Sequence, residues 1–379
     1  MIAVLADDYT GAAEVGGIAL RYGLAAQVQT HFHADTATDL VVVDTDTRAL
    51  SPAEAACVVG SVARQVAAAR PEWVFKKVDS LLRGPVAVEV ESVRTALGYA
   101  LALLVAGNPH SGRLIRGGLY TVSGRPLAET EFAHDPEHPA TSSRVLDLLA
   151  PAPCPIACVR PGEQLPDAGL AVAEVTCACD LERWAQALPP DALPAGSAVF
   201  LAALLAARGY QPSRPKQPSP PQGPMLLVSG SQSDCSLRNL DQMAAHLPIL
   251  EMPAGLCAGQ SDDRLIAAWV AETARALARQ AKAVMAIRLL TRPCPGVPER
   301  LCASMAQAVA GVLSRIPVAH LLVVGGATAS AIMRRQGWTQ AAVVGEHAPG
   351  VVSLHPGGQA PLVTTKPGSY PWPEGLLPG

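Results

Sequence analysis

Short continuous apolar runs punctuate the chain, and each closes on a polar residue or a small-residue turn. Ile2 to Ala6 stops at Asp7, and Leu40 to Val43 stops at Asp44, as buried parallel strands do where they open into a loop. Trp73 to Val78 and Leu101 to Ala106 repeat the pattern, and so do Met225 to Val228 and Leu321 to Val324, which lead into Gly/Ser-rich turns. Between these runs the apolar period lengthens to that of a helix. Ala53 to Ala69 has Pro52 in its opening turn and Arg70-Pro71 beyond its end, start and stop signals of a helix. Leu237 to His246, Asp262 to Lys282 and Pro298 to Ile316 are further helical stretches. Strands alternating with helices predict an α/β fold with largely parallel sheets.

The periodicity lapses once, where residues 214–224 read RPKQPSPPQGP, the composition of a semi-rigid linker. We therefore expect two domains, 1–213 and 225–379, joined by the proline-rich segment 214–224, each a largely parallel sheet flanked by helices. No internal repeat relates the halves. The length of 379 residues exceeds what one hydrophobic core usually organises.

Composition narrows the partners. Apolar residues make up 49% of the chain and charged residues 16%, against about 25% charged in an average soluble protein. A formal charge of −3, with no basic stripe, argues against nucleic acid or an anionic membrane surface as partner. No apolar run reaches the roughly 20 residues of a membrane helix; Ala198 to Ala207 is half that length. Ile2 to Ala6 runs straight into Asp7 and Asp8 without a basic flank, a first strand and not a signal peptide. The nine cysteines are scattered and lack a C-x-x-C pair, with Cys154/Cys158 and Cys177/Cys179 the close pairs. That usage predicts a reduced, cytoplasmic thiol set in preference to a metal site. No feature sets an oligomeric state or a metal ligand set.

Candidate chemistry concentrates where predicted strands end. Asp7-Asp8-Tyr9-Thr10-Gly11-Ala12-Ala13-Glu14 places two carboxylates ahead of a helix that Thr10 is expected to cap. Ligands of open α/β sheets gather at this edge, where an anion can meet the helix amides and an aspartate can accept a hydroxyl proton. Simple helix capping explains the same residues. Lys76-Lys77-Val78-Asp79-Ser80-Leu81-Leu82-Arg83-Gly84 packs three cations, a carboxylate and a hydroxyl together. There Arg83 can grip a carboxylate in bidentate fashion and Lys77 can supply a point charge to a phosphoryl group; an Asp79–Arg83 ion pair on a charged turn is the alternative. From Gly107 to Pro136 the sequence predicts a long loop with a short hairpin, including Gly112-Arg113, Gly117-Gly118 and Asp135-Pro136, a length that in a compact domain goes with function or disorder.

Beyond the linker, Ser229-Gly230-Ser231-Gln232-Ser233 and Gly325-Gly326-Ala327-Thr328 each follow a predicted strand and open a helix. Two turns of this kind in one domain suit a polyphosphate, and Lys366 in Thr364-Thr365-Lys366-Pro367-Gly368 can neutralise its charge. The P-loop and protein-kinase motif sets are absent, so a different ATP fold is required.

In this order the motifs resemble the four-carbon acid sugar kinases, which act on tetronates such as threonate, erythronate or their 3-oxo forms. The family's D-D-x-T-G-A is matched by Asp7 to Ala12, K-x-D-S-T-L-R-G by Lys77 to Gly84, and its Gly-Arg and D-P pairs by Gly112-Arg113 and Asp135-Pro136. Its G-S-x-S, G-G-E-T and K-x-G motifs are matched by Gly230 to Ser233, Gly325 to Thr328 and Lys366 to Gly368. The resemblance implies a kinase with a sugar-acid domain, an ATP domain and a cleft between them. It also implies Mg²⁺ on the phosphates, from the chemistry of transfer. By the same likeness Asp8 or Asp79 deprotonates the acceptor hydroxyl, and Asp7, Thr10, Lys77, Ser80, Arg83 and Arg113 bind the acid. Ser231, Ser233, Gly325, Gly326, Ala327, Thr328, Lys366 and Gly368 bind the nucleotide. Three positions depart from the pattern: Leu81 replaces Thr, Ala327 replaces Glu, and Pro371 follows Tyr370 where Gly is common. A non-catalytic protein that binds a sugar acid or nucleotide is the alternative from another class. A dinucleotide oxidoreductase lacks its G-x-G-x-x-G.

Overall fold

The computed structural model describes residues 1–34, 37–135, 138–213, 218, 221–260, 262–289 and 296–377. The chain forms two compact units, Met1–Leu24 with His31–Ser213, and Ala25–Thr30 with Arg214–Gly379. The second unit includes a segment of the stretch assigned from sequence to the first domain, because the strand Ala26–Gln29 pairs antiparallel with Gln340–Ala348. Of the proline-rich segment, residues 214–217, 219 and 220 lie outside the described residues.

In the first unit the strands lie in the spatial order Leu40–Asp44, Ile2–Ala6, Val74–Lys77, Ala192–Gly196, Leu101–Val105, Gly169–Ala173, Ile156–Val159. All these pairings are parallel. The strand Ile2–Ala6, flanked by a strand on each side, is wholly buried, which is why it reads as an uninterrupted apolar run and not as an alternation. Helices Tyr9–Arg21, Pro52–Ala68, Val86–Leu97, Ala178–Ala187 and Ala198–Ala207 connect or flank these strands. The predicted hairpin is present as a small antiparallel sheet of Arg113–Arg116, Leu119–Val122 and Arg125–Pro126.

The second unit has the parallel order Ile249–Glu251, Lys282–Ala286, Met225–Ser229, His320–Val324, Leu362–Lys366. Val351–His355, Gln340–Ala348 and Ala26–Gln29 extend it antiparallel. Helices Asp234–Met243, Asp263–Gln280, Val297–Leu313 and Gly326–Arg335 complete the unit's longer elements among the described residues. Both units are α/β with mostly parallel strands, as the apolar pattern predicted.

Two expectations are corrected locally. Asp8, not Thr10, caps the first helix: its carboxylate accepts the Gly11 amide at 2.9 Å, so the helix starts at Tyr9 and that amide is already satisfied. Cys177 and Cys179 are joined in a disulfide, so the thiols are not uniformly reduced; a two-residue separation across the start of a helix brought the sulfurs together. Cys57, Cys154, Cys158, Cys235, Cys257 and Cys302 are free.

Strand register positions the chemistry. Ala6 lies opposite both Asp44 and Lys77, so the segments that follow these three strands emerge level at one edge. In the second unit Val324 lies opposite both Ser229 and Lys366. That edge is level in the same way.

Candidate active site

At the first unit's edge the three emerging segments are tied together by ion pairs. The Arg48 guanidinium reaches Asp7 at 2.8 Å, Asp8 at 2.7 Å and Asp79 at 3.8 Å. Its loop is fastened to the first strand, with the Thr47 amide on the Asp7 carbonyl at 3.0 Å and the Thr45 hydroxyl on the Ala6 carbonyl at 2.9 Å. Arg83 grips Asp79 in bidentate fashion, both bonds 2.9 Å, and reaches Asp135 at 2.9 Å. The Leu81 and Arg83 amides also donate to Asp79 Oδ2. These contacts put three donors on Asp79 Oδ2 and one on Oδ1.

Burial pushes both Asp7 and Asp79 up, but the opposing charges are stronger. Arg48, Lys76 and Lys77 hold the Asp7 carboxyl below its ordinary value; Arg83, Arg48 and Arg113 hold Asp79 well below it. Glu14 goes the other way: burial raises its carboxyl, only partly offset by Lys77 and Arg113. Asp8 accepts from Gly11 and Arg48 through Oδ1, and its Oδ2 accepts the Thr10 hydroxyl at 2.6 Å. An oxygen holding one hydrogen bond keeps acceptor capacity for another. The second oxygen of Asp7, Oδ1, is buried without a hydrogen-bond partner.

Successive strand residues face opposite sides of a sheet, and the two lysines separate accordingly. Lys76 is fully buried against Glu89 at 2.7 Å. Lys77 lies toward the first helix, 3.9 Å from Glu14, and its ammonium donates to the Val78 carbonyl at 3.0 Å. From the hairpin, Arg113 donates to the Ser80 hydroxyl and stands 5.8 Å from the Phe132 ring centre, and the Tyr120 hydroxyl donates to the Ser80 carbonyl. Among the described residues Arg113 has no carboxylate within ion-pair distance and Lys77 has only Glu14, at 3.9 Å, unlike Arg48 and Arg83. Leu81 is 2% exposed within an apolar core that includes Val78, Leu82 and Val86. Its side chain belongs to the core, so the hydroxyl missing at that position is replaced by packing.

At the second unit's edge, hydroxyls and close backbone approach replace ion pairs. The Ser233 and Ser236 hydroxyls both donate to the Gly368 carbonyl at 2.8 Å, and the Ser233 amide donates to Ser231 Oγ at 3.2 Å. A Cβ at Gly230 would fall on Thr328 Oγ1, so the first turn lies directly against the helix that Gly325 precedes. Ala327 is exposed in the first turn of that helix. Lys366 is completely buried, donating to the carbonyls of Tyr370 at 2.6 Å and Pro367 at 3.1 Å, with the Trp372 ring centre 5.3 Å away. Burial lowers its ammonium to about 8. Among the described residues no carboxylate pairs with it.

The structure brings Asp7, Asp8, Thr10, Lys77, Asp79, Ser80, Arg83 and Arg113 to the first edge. Ser231, Ser233, Gly325, Gly326, Ala327, Thr328, Lys366 and Gly368 belong to the turns at the second. Sequence reasoning missed Arg48. Its signal was the polar run Asp44-Thr45-Asp46-Thr47-Arg48 after the second apolar run, beside Asp7 once those strands are paired in parallel.

The chain is similar to known proteins along nearly its whole length. Residues 2–204 match the model of a sugar-binding N-terminal domain, and residues 226–370 that of a nucleotide-binding C-terminal domain. The D-threonate kinase of Bordetella bronchiseptica is 31% identical over 97% of this chain and 94% of its own length. The chain belongs to the four-carbon acid sugar kinase family. Another member, the 3-oxo-tetronate kinase of Methylobacterium radiotolerans, is 26% identical over 97% of this chain and 95% of its own. The family's fold recurs in a solved Haemophilus influenzae protein, TM-score 0.68 at 18% identity, covering 97% of this chain and 96% of that one. Arg48, which ties three carboxylates of the first edge together, lies outside every motif matched above.

Proposed function

We propose that this protein is an ATP-dependent kinase that phosphorylates a terminal hydroxyl of a four-carbon sugar acid of the threonate, erythronate or 3-oxo-tetronate type. The first unit takes the acid and the second takes the nucleotide. Near full-length similarity to curated sugar-acid kinases supports the reading. The observation that carries it is the division of labour among charges at the first edge. Arg83 is engaged by Asp79 and Asp135, which leaves Arg113 and Lys77 as the cations for the substrate carboxylate.

In this mechanism Asp8, not Asp79, is the proton acceptor, since Arg83 grips both Asp79 oxygens and, against burial, Arg83, Arg48 and Arg113 hold that carboxyl well below its ordinary value, which makes it a weak base. The acceptor oxygen bonds to the γ-phosphorus as its proton passes to Asp8. The bond from that phosphorus to the bridging oxygen breaks, and ADP leaves with the electron pair. Charge neutralisation and positioning supply most of the rate in such transfers. Ser231, Ser233, the Gly325–Thr328 turn and Lys366 cradle the phosphates.

Magnesium would accompany the nucleotide and neutralise its phosphate charge. Among the described residues the one close grouping of candidate ligand atoms is Cys177, Cys179 and Asp180, which is not the oxygen set magnesium takes, so no protein ligand is assigned. A cytoplasmic setting, where ATP is available, goes with this reading; no described helix is long and apolar enough to cross a membrane.

The test is ADP release with Mg·ATP across four- to six-carbon sugar acids and their keto forms, with the product identified by mass. Acid-dependent ADP release and a phosphorylated acid are expected. ATP binding without turnover on any acid would favour the non-catalytic alternative, and no ATP binding would end the kinase reading.

A further inference from the structure

We infer that Arg48 is the positioning residue of the first unit's site: one guanidinium orients Asp8 for proton transfer while fixing Asp7 and Asp79 around it. The inference rests on the kinase reading, and it concerns a residue that no matched motif contains.

The geometry assigns this role for three reasons. First, Arg48 is the one described residue that ion-pairs with carboxylates from two different strand ends, Asp7 and Asp8 after Ile2–Ala6 and Asp79 after Val74–Lys77. A planar fork with several donors can hold three carboxylates in fixed directions, which a single ammonium cannot do. Second, its position is set by backbone. The Thr47 and Arg48 amides both donate to the Asp7 carbonyl, so the loop that carries Arg48 is registered on the residue preceding Asp8. Third, the chain makes room for it. Gly84 has φ +80°, and a Cβ there would lie 2.7 Å from the Arg48 carbonyl oxygen and 3.1 Å from its Cγ. Only glycine tolerates both that backbone conformation and that approach.

Charge accounting at the site agrees. Asp8 faces Arg48 on one side and Thr10 and the Gly11 amide on its own helix. The other charged groups of the cluster are Asp7, Glu14, Lys77, Asp79, Arg83, Arg113 and Asp135. Arg83 is committed to Asp79 and Asp135, and Lys77 is nearer Glu14. Arg48 is therefore the cation that sets the direction of the Asp8 carboxylate beside two further carboxylates.

The experiment compares steady-state kinetics and pH profiles of the whole protein with its Arg48→Lys and Arg48→Gln variants, using the acid identified in the turnover panel. Arg48→Gln is expected to lower kcat by about 100-fold or more, within the range for a misplaced general base, with KM for acid and nucleotide changed less than about threefold. Removing a cation at 2.7 Å from Asp8 moves the acid limb of the profile to higher pH, because a carboxylate without that charge takes up its proton more readily. Arg48→Lys recovers part of the rate and part of the limb position. Gly84→Ala gives an independent route: it crowds Arg48 without removing its charge, so kcat falls while the acid limb shifts less than in Arg48→Gln. Thermal unfolding of the whole protein reports whether a variant is folded, and unchanged nucleotide affinity shows that the effect stays in the first unit, where the whole cluster lies.

Unchanged kcat in Arg48→Gln overturns the inference. So does a raised KM for the acid with kcat retained, which would make Arg48 a substrate clamp, or an acid limb that stays in place. Wild-type protein that shows no acid-dependent turnover defeats the kinase reading instead, and the two failures are thereby told apart.

Discussion

At the first unit's strand edge, Arg48 and Arg83 are matched at short range by Asp7, Asp8, Asp79 and Asp135, whereas at the second unit's edge Lys366 meets main-chain carbonyls and an aromatic ring. Both edges are built alike, from parallel strands of matching register. They differ in who supplies the counter-charge. The first site neutralises Arg48 and Arg83 internally, which suits a small substrate that must be oriented by many hydrogen bonds. The second keeps a buried cation short of a carboxylate, which suits a ligand that brings its own negative charge. Desolvation explains both: a buried ion needs a partner, from the protein or from the ligand.

The largest expected effect tests the first half of this contrast. Asp8→Asn keeps the side-chain shape and a good helix cap but removes the proposed proton acceptor, so kcat is expected to fall by about 10²- to 10⁴-fold. Thermal unfolding should stay near the wild-type midpoint. Full turnover in this variant would remove Asp8 from the chemistry and reopen the role of the internal counter-charges.

Next in size is Lys366. Lys366→Met should weaken Mg·ATP binding by about 10- to 100-fold, the equivalent of about 1.5–3 kcal/mol for hydrogen bonds to a charged group, with acid binding unchanged. The wild-type ammonium loses its proton as pH rises through about 8, so nucleotide affinity declines above that pH. Because a bound polyphosphate favours the charged form, binding near pH 8 draws a proton from solution. Calorimetry in buffers of different ionisation enthalpy would detect that uptake, and its absence would mean that Lys366 does not meet phosphate.

A smaller effect is expected from Gly230→Ala, whose Cβ would fall on Thr328 Oγ1. Overpacking of this kind costs about 1–3 kcal/mol, read as roughly tenfold weaker nucleotide binding with the acid's affinity retained. Least of all, Leu81→Thr should leave kcat unchanged, because residue 81 is buried with Val78 and Val86. Instead it should lower stability by about 1–3 kcal/mol through an unsatisfied hydroxyl, read by denaturant unfolding. A gain in kcat would place residue 81 in the substrate's reach and shift the boundary between core and site.

The apolar runs and their closing aspartates determined the α/β class, the parallel strands and the neighbourhoods of Asp8, Asp79, Ser231 and Thr328, because burial on both faces of a parallel strand is written directly into local composition. The small-residue turns were legible for the same local reason. What the sequence left open was decided at a distance. Ala26–Gln29 joins the second unit by pairing with a strand more than three hundred residues away, which no local pattern records. Whether Arg83 faces substrate or Asp79, which lysine of the Lys76-Lys77 pair turns toward Glu14 and which toward Glu89, and why Arg48 sits between three carboxylates all depend on register across strands. A one-residue change of register in Val74–Lys77 would send each lysine to the opposite face. The sequence by itself determined which residue types reach each edge; only the tertiary structure decided which charges are spent on one another and which remain for a ligand.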